Sequence, residues 1–223
     1  MGIHLPRNYG EVKREISEMR AMTNKKAITP IMDNAVMLDK AIADLQLGLA
    51  NTIGWLDAIF GRAQRITRVV NGRTYKEPFV YAGGTNYTKG NYDNDYIGVS
   101  PDGNIGNFAF FDVTEPHRIE PYNRGVQNTI KTPFALIVWV DLRHVFNSTK
   151  DRNTEQLKAQ LLRELNGGFK HPNCGYEFNK IYELSENIYK GYTLDETTNQ
   201  YLMHPYWACR IEGEIKYNEP CYE

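Results

Sequence analysis

The sequence predicts an α+β fold: a mostly antiparallel sheet with helices packed on one of its faces. Three observations favour this class. Apolar residues recur at helical spacing after residue 33, an Asn-Gly pair separates two β-prone segments at residues 71–72, and an unbroken apolar run occupies residues 135–140. With 223 residues, of which 41% are hydrophobic and 24% charged, the chain can bury a core without disulfides. We expect an N-terminal arm over residues 1–31 and a single domain over 32–223.

The N-terminal arm is predicted from a short amphipathic helix followed by a polar segment that ends at Pro30. Val12, Ile16 and Met19 recur at i, i+4 and i+7, which gives the helix a thin apolar stripe. Such a helix gains little stability alone, so we predict that these three residues contact another subunit or a partner.

The strongest helix signal begins near Asp33 or Asn34, both of which are good N-caps. Gly54 predicts a bend or a break in this helix, and Gly61 predicts its end. Its apolar stripe is made of Leu38, Ile42, Leu45, Leu49, Ile53, Leu56 and Phe60.

A β-hairpin is predicted where residues 65–70 and 73–81, both β-prone, flank the Asn-Gly turn. Positive charge concentrates around it. This charge could face DNA in a channel or an acidic partner, and a solvated strand face is the alternative interpretation. The arginines concerned are Arg62, Arg65, Arg68 and Arg73.

Residues 83–107 are rich in Gly, Asn, Asp and Tyr, and they predict a long loop or a protruding hairpin inserted into the domain. Tyrosine suits adaptable contact surfaces because its ring is apolar and its hydroxyl is polar. We therefore predict that Tyr87, Tyr92 and Tyr96 contact a partner.

The second half of the chain predicts further strands around one helix. Residues 108–113 and 134–142 are expected to be strands, the second of them central. Residues 154–165 predict a helix that crosses the sheet, and 180–189 and 206–217 predict late strands. In the last strand, apolar residues alternate with charged ones from position 210 onward, which predicts that one face of it is wet.

The sequence shows no signature of catalysis or of metal binding. It lacks a Gly-x-Ser-x-Gly elbow, a phosphate-binding loop and a dinucleotide fingerprint. Two sets of residues have metal-binding side chains, but their spacing fits neither a calcium loop nor a zinc site: Asp93, Asp95 and Asp102, and His171, Cys174, His204 and Cys209. We predict no catalytic residue, no metal ligand and no cofactor.

Net charge and apolar runs exclude other classes. The formal net charge of −1 gives no general attraction to nucleic acid or to anionic membranes. No apolar run reaches the roughly 18 residues that cross a bilayer, and the polar start does not resemble a signal peptide.

The order of elements resembles that of bacteriophage tail-terminator and head-tail neck proteins. Such proteins have a leading helix, a strand pair, a long excursion, a central strand, a crossing helix and late strands. The segments that carry the resemblance are AIADLQ at residues 41–46 with WLD at 55–57, the run 132–142, YTLD at 192–195 leading to LMHPY at 202–206, and the closing strand 207–217.

The resemblance implies a structural virion subunit, made in the host cytoplasm, that forms a homo-oligomeric ring at the head-tail junction or the tail end and performs no enzymatic step. Its partners would be copies of itself and other virion proteins, with DNA contact in a channel as a further implication. The N-terminal arm and the Tyr-rich segment are longer than compact members of this family require, so the position of the subunit within the neck or tail stays open.

Two alternatives belong to other classes. One is a glycan- or receptor-binding module that would hold its ligand with residues 84–106. The other is a small hydrolase, which would require a cleft that brings Asp112, His117 and Glu120 together.

Overall fold

The computed structural model describes residues 27–29, 35–81, 96–101, 105–122, 127–146, 152–167, 174–194 and 199–218. Over these residues nine strands form one mixed sheet, with two long helices and one short one. The strands are β1 (Ala27–Thr29), β2 (Ala58–Val70), β3 (Arg73–Tyr81), β4 (Tyr96–Gly98), β5 (Phe108–Val113), β6 (Arg118–Tyr122), β7 (Gln127–Asp141), β8 (Cys174–Tyr182) and β9 (Tyr206–Asn218). The helices are α1 (Met37–Thr52), α2 (Thr154–Gly167) and α3 (Ser185–Ile188), and a 3-10 turn, Leu142–His144, follows β7.

The strand order is β4-β3-β2-β5-β7-β9-β8, with β1 beside β2 and β6 beside β7. The pairs β1–β2 and β2–β5 are parallel, and the other described pairs are antiparallel. The predicted α+β class is therefore confirmed, with a sheet that is mixed but mostly antiparallel.

Strand β7 lies at the centre of the sheet, between β5 and β9. Leu136, Val138 and Val140 face one hydrophobic core, whereas Ile137 and Trp139 face a second core on the other side. Because both faces are covered, the strand is apolar at every position of this run and shows no alternation. The predicted central strand is confirmed, and it begins at Gln127, before the predicted residue 134.

The two long helices cover the first face of the sheet. Leu45 and Leu49 of α1 and Leu161 of α2 are fully buried in the first core, together with Phe111 of β5. The prediction that helices pack on one face holds for α1 and α2. It fails for α3, because its Ile188 belongs to the second core.

The second face is covered by the chain that follows β8. Its core contains Phe60, Phe108, Phe110 and Trp139, against which side chains from residues 188–194 and 201–206 pack. The Trp139 indole donates a hydrogen bond to the Tyr201 carbonyl at 2.6 Å. The short α3 and the described residues after it, 189–194 and 199–206, take the place of a helix layer here.

The first helix is shorter than its apolar stripe predicted. It ends at Thr52, whereas Ile53 and Leu56 are buried in the connecting turn and Phe60 already lies in β2. The stripe continues past the helix because Ile53 and Leu56 share the first core with α1, whereas Phe60 is buried in the second core. The backbone N–H groups of Asp57 and Ala58 bond to the Asn107 carbonyl, and this starts the strand.

The strand predicted at residues 180–189 is also wrong in its bounds. β8 spans Cys174–Tyr182, and residues 185–188 form α3. The pairing with β9 ends where Tyr182 meets Arg210, after which Ile188 and Tyr189 turn onto the second face and become buried. Burial of these two side chains is a larger gain than continued pairing at an edge.

The segment 83–107 was predicted to be a long loop or a protruding hairpin. Its described part contains a strand antiparallel to β3, as in a hairpin, and side chains that pack on the domain. Residues Tyr96–Gly98 form β4 beside β3. Ile97, Val99 and Ile105 are buried in the second core. The prediction for residues 83–95 lies outside the described residues.

Most of the predicted N-terminal arm, with Val12, Ile16 and Met19, also lies outside the described residues. The exception is β1, which pairs in parallel with the start of β2. The sheet therefore takes up chain from within the predicted arm, before the boundary at residue 31.

Candidate interaction site

Strands β2 and β3 leave the sheet as a two-stranded ribbon. Beyond Ala63, the only described strand that pairs with β2 is β3, and before Phe79 the only one that pairs with β3 is β2. The turn residues Asn71 and Gly72 have φ of +51° and +76°, as a tight Asn-Gly turn requires. This confirms the predicted hairpin. We call residues 66–77 the hairpin arm.

The two faces of the hairpin arm differ in exposure. Ile66, Arg68 and Glu77 are half-buried, and the Arg68 guanidinium donates to the Glu77 carboxylate at 2.6 Å. At the tip, Val69 is 58% exposed and Val70 is 39% exposed. The tip therefore presents two β-branched apolar side chains to solvent.

The predicted basic patch is divided by the structure. Strand alternation places Arg62 and Arg68 on one face of the ribbon and Arg65 on the other. Arg68 is paired with Glu77, and Arg65 lies 3.5 Å from the Asp112 carboxylate. Arg62 and Arg73 are exposed. The four arginines therefore do not form one continuous surface.

A buried ionic cluster lies on the second face, beside the base of the hairpin arm. The Arg210 guanidinium donates to the Asp112 carboxylate at 2.9 Å, and both side chains are 2% exposed. The same guanidinium donates to Glu212 at 3.0 Å, and the Tyr192 hydroxyl donates to Asp112 at 3.0 Å. The charges are thus paired and hydrogen-bonded, as burial requires.

The ion pair joins strands that are not neighbours. Arg210 lies in β9 and Asp112 in β5, with β7 between them. Ala135 of β7 is the register partner of both Asp112 and Glu212. Its small side chain leaves room for the guanidinium to cross the central strand.

Residues 188–194, which we call the strap, cover this cluster and reach the hairpin arm. The Thr193 N–H donates to the Lys76 carbonyl at 2.7 Å. The Arg65 guanidinium lies over the Tyr192 ring, 5.3 Å from its centroid. Gly191 has φ of +88°, and a Cβ there would meet the Arg65 guanidinium at 3.0 Å, so glycine allows this close approach. The strap therefore fixes the base of the arm to the core.

Burial and charge alter the acidity of groups in and near the site. Burial, with the negative charge of Asp112, raises the pKa of the Tyr192 phenol. Burial also raises the pKa of the Cys209 and Cys174 thiols above their usual range. A raised thiol pKa leaves little thiolate at neutral pH, so neither cysteine has the environment of a reactive nucleophile.

Two clefts meet near Arg65, Thr114 and Glu115. The larger, of 980 Å³, runs between α1, β2 and the end of β5, and it includes Tyr96. The smaller, of 420 Å³, lies beside the strap and is lined by Lys190 among others. Tyr96, predicted as a contact residue, is half-buried and packs edge-to-face on Tyr81 at 5.6 Å. Tyr87 and Tyr92 lie outside the described residues.

The residues required by the hydrolase alternative are not brought together. Asp112 lies on the second face in its ion pair. His117 contacts Thr132 at 2.7 Å, and Thr132 contacts Tyr217, which belongs to the first core. Glu120 pairs with Lys131 at 2.6 Å. Each group therefore has a separate structural partner.

Within the described ranges, no three or more His, Cys, Asp or Glu side chains cluster so as to hold a metal ion. Of the four His and Cys residues with zinc-binding side chains, Cys209 is buried, His204 is exposed and His171 lies outside the described residues. Among the helices in the described part of the chain, none is long and apolar enough to cross a membrane.

The sequence did not single out Arg210, Glu212 or Tyr192 as members of a cluster. Alternation in β9 predicted that Arg210 lies on a solvent-exposed face. This is wrong, because the strap covers Arg210. The only local signal is Ala135, a small residue in a run of large apolar ones.

Fold and site together define an α+β protein whose mixed sheet extends into an exposed hairpin arm anchored by a buried ionic cluster. Compared with protein-family models and with curated protein sequences, the chain gives no match.

Proposed function

We propose that this protein is a structural subunit of a bacteriophage virion and forms a ring at the head-tail junction or the tail end. The observation that carries the proposal is the hairpin arm, which leaves the sheet and exposes Val69 and Val70 at its tip. The resemblance of the element order to tail-terminator and neck proteins supports the same function.

An arm of this kind suits assembly for an energetic reason. A two-stranded ribbon is marginally stable alone, because it has no third strand or helix on which to bury a face. Contact with a neighbouring subunit would bury the tip and supply that cover. Subunits in a ring use heterologous contacts, in which a feature on one side of a subunit meets a different feature on the next.

The ionic cluster supports this function by orienting the arm. Arg65 and the strap connect the base of the arm to Asp112 in β5, so the arm is held to the core before any partner binds. Preorganisation lowers the entropy lost on association.

Contact with DNA in a channel is part of the proposal for one face of the β2–β3 ribbon. Arg62 and Arg73 are exposed and project from the same side as Arg68. Replacing Arg62 and Arg73 with Gln should weaken binding of duplex DNA to the assembled ring and lower its salt dependence. Unchanged binding would remove DNA from the proposal.

The test of the ring is the mass of the full chain in solution, by light scattering and electron microscopy, alone and with the neck and tail proteins of the same phage. We expect a discrete ring in one of these conditions. Antibody labelling of purified virions should mark the head-tail junction or the tail end. A chain that stays monomeric in every mixture and leaves virions unlabelled would overturn the proposal.

A further inference from the structure

Strand β8 forms one edge of the sheet. It is nine residues long, and its only neighbour among the described strands is β9. Apart from the pairing with β9, no backbone hydrogen bond joins residues 174–182 to another described residue. The outer edge of β8 therefore carries unpaired N–H and C=O groups, which form a template for a strand of another chain. At the other end of the sheet, β4 is only three residues long and offers a much shorter edge.

An irregularity in β8 decides which of its side chains share a face. Phe178 pairs with Gly213 and Lys180 pairs with Glu212, so Asn179 is one extra residue in the ladder. An extra residue shifts the alternation of side chains along a strand. The residues before Asn179 and those after it therefore follow opposite phases.

The two faces of β8 differ in polarity. Glu177 and Lys180 both lie on the second face, where Glu177 is 58% exposed and Lys180 is also exposed. Glu177 pairs with Lys216 at 2.6 Å, whereas Lys180 has no ion-pair partner among the described residues. The side chains on the first face are apolar and half-buried against the first core: Cys174, Tyr176, Phe178 and Ile181. The edge thus combines an apolar face with a face that carries one charge of each sign.

Two copies of β8 match each other in an antiparallel register that this irregularity permits. Residues opposite each other in an antiparallel pair lie on the same face of the sheet. A regular strand therefore meets its own copy only around a central residue. In β8 the extra residue moves the centre to between Phe178 and Asn179. Glu177 then lies opposite Lys180 of the second copy, and Lys180 lies opposite Glu177 of the second copy.

The side-chain pairs of this register are complementary. Two pairs of opposite charges face each other on the second face, and such cross-strand pairs stabilise a sheet. On the first face, Tyr176 lies opposite Ile181 of the second copy, so half-buried apolar side chains of the two copies meet. Moving the centre by one residue in either direction loses both charge pairs.

We infer that β8 pairs antiparallel with β8 of a second copy of this chain, about a twofold axis, so that the two sheets become one. A twofold contact closes at two copies and does not itself build a ring. It also lies across β5, β7 and β9 from the hairpin arm. The inference therefore goes beyond the proposed function and can be tested independently of it.

Charge reversal tests the contact, with the mass of the full chain measured by sedimentation velocity over a range of concentrations. The smallest associated species of the wild type should contain two chains. Lys180→Glu and Glu177→Lys should each pair with themselves at least about tenfold more weakly, because like charges then face each other at two places. Pairing of the wild type should weaken as salt is raised, since these charges are exposed.

Mixing the two single variants separates the inferred contact from other effects of the substitutions, such as the loss of the bond between Glu177 and Lys216. In a pair made of one Lys180→Glu chain and one Glu177→Lys chain, opposite charges again face each other at both places. An equimolar mixture should therefore pair at least about tenfold more tightly than either variant does alone. A chain that carries both reversals should pair with itself but not with the wild-type chain.

The matched control is Arg118→Glu, which reverses one exposed positive charge on β6, away from the β8 edge. It should pair like wild type, and all variants should keep the wild-type circular dichroism spectrum. A wild type that stays a single chain up to its highest soluble concentration would overturn the inferred contact, as would equal affinities for wild type and both single variants. Rings that Lys180→Glu still forms with other virion proteins would leave the proposed function standing in either case.

Discussion

The guanidinium of Arg210 lies 2.9 Å from the carboxylate of Asp112, across an intervening strand, and each side chain is only 2% exposed. Tyr192 and Glu212 complete the hydrogen bonds of the pair. A buried pair that is fully hydrogen-bonded is costly to break from one side, since the remaining charge has no water to solvate it.

Removing one partner of this pair should destabilise the protein strongly. We expect Arg210→Met to lower the free energy of unfolding by about 3–5 kcal/mol, measured by urea or guanidinium denaturation. Arg118→Ala is the matched control, because Arg118 pairs with Glu214 on the same sheet but is 63% exposed. The control should cost less than about 1 kcal/mol. Equal costs for the two variants would contradict the buried role of Arg210.

The double variant Arg210→Met with Asp112→Leu gives a second measure of the pair. Replacing both partners removes the uncompensated charge, so the double variant should cost less than the sum of the two single variants. Additive losses would show that the two groups are not coupled.

Alkaline pH should destabilise the protein through Tyr192. Burial and the charge of Asp112 raise the pKa of this phenol in the folded state above its unfolded value. The associated stability is fully present below the unfolded pKa of about 10 and is lost as pH rises toward the folded pKa, by up to about 1.4 kcal/mol per pH unit. Unfolding measured between about pH 8 and pH 11 should show a smaller loss for Tyr192→Phe than for wild type.

Tyr176 should contribute to the same pH dependence. Burial raises its pKa as well, and its hydroxyl donates to the Ala41 carbonyl at 3.1 Å. We therefore expect Tyr176→Phe to reduce the alkaline loss further when it is combined with Tyr192→Phe. An unchanged slope in the double variant would refute both assignments.

Two glycines of the β8–β9 pair should differ sharply in their tolerance of alanine. A Cβ at Gly213 would collide with the Glu177 carbonyl oxygen, a backbone atom beside the irregularity of β8. A Cβ at Gly175 would meet only the Lys216 side chain, at 3.8 Å. Gly213→Ala should lower the thermal midpoint by several degrees or prevent folding, whereas Gly175→Ala should remain close to wild type. Similar midpoints would contradict the close approach of the two strands.

Asn107, which lies in the connection just before β5, should contribute strongly to the free energy of unfolding. Its side chain donates to the Trp55 carbonyl at 2.9 Å and accepts from the Asp141 N–H at 2.8 Å, so it joins the approach to β2 with the end of β7. Asn107→Ala should cost about 2–4 kcal/mol because two buried backbone groups lose their partner. Asn218→Ala, at an exposed strand end, is the control and should cost less than about 1 kcal/mol.

The elements that the sequence predicted well are those that local signals specify. The Asn71-Gly72 turn sets the hairpin, because few residue pairs accept a positive φ at both positions. The apolar run in β7 predicted a central strand, and α2 was predicted close to its observed bounds, Thr154–Gly167. In each case the residues that specify the element lie within the element itself or in the turn beside it.

The sequence predictions were wrong where the burial of a residue depends on contacts with distant parts of the chain. Phe60 continued the helical stripe of α1 but lies in β2, between β1 and β5. Residues 185–188 extended a strand pattern but form α3, because Ile188 and Tyr189 bury themselves on the second face. Periodicity reports that a residue is buried, not which element carries it.

By itself, the sequence determined the α+β class, the β-hairpin around Asn71-Gly72, and the central strand. Only the tertiary structure decided that Arg210 is buried with Asp112 and that the strap joins this pair to Arg65 at the base of the arm. The reason is physical: alternation along β9 fixes which face Arg210 occupies, but what covers that face depends on residues about twenty positions away and on β5, almost a hundred positions away. A charge becomes a structural anchor only when such distant groups exclude water from it.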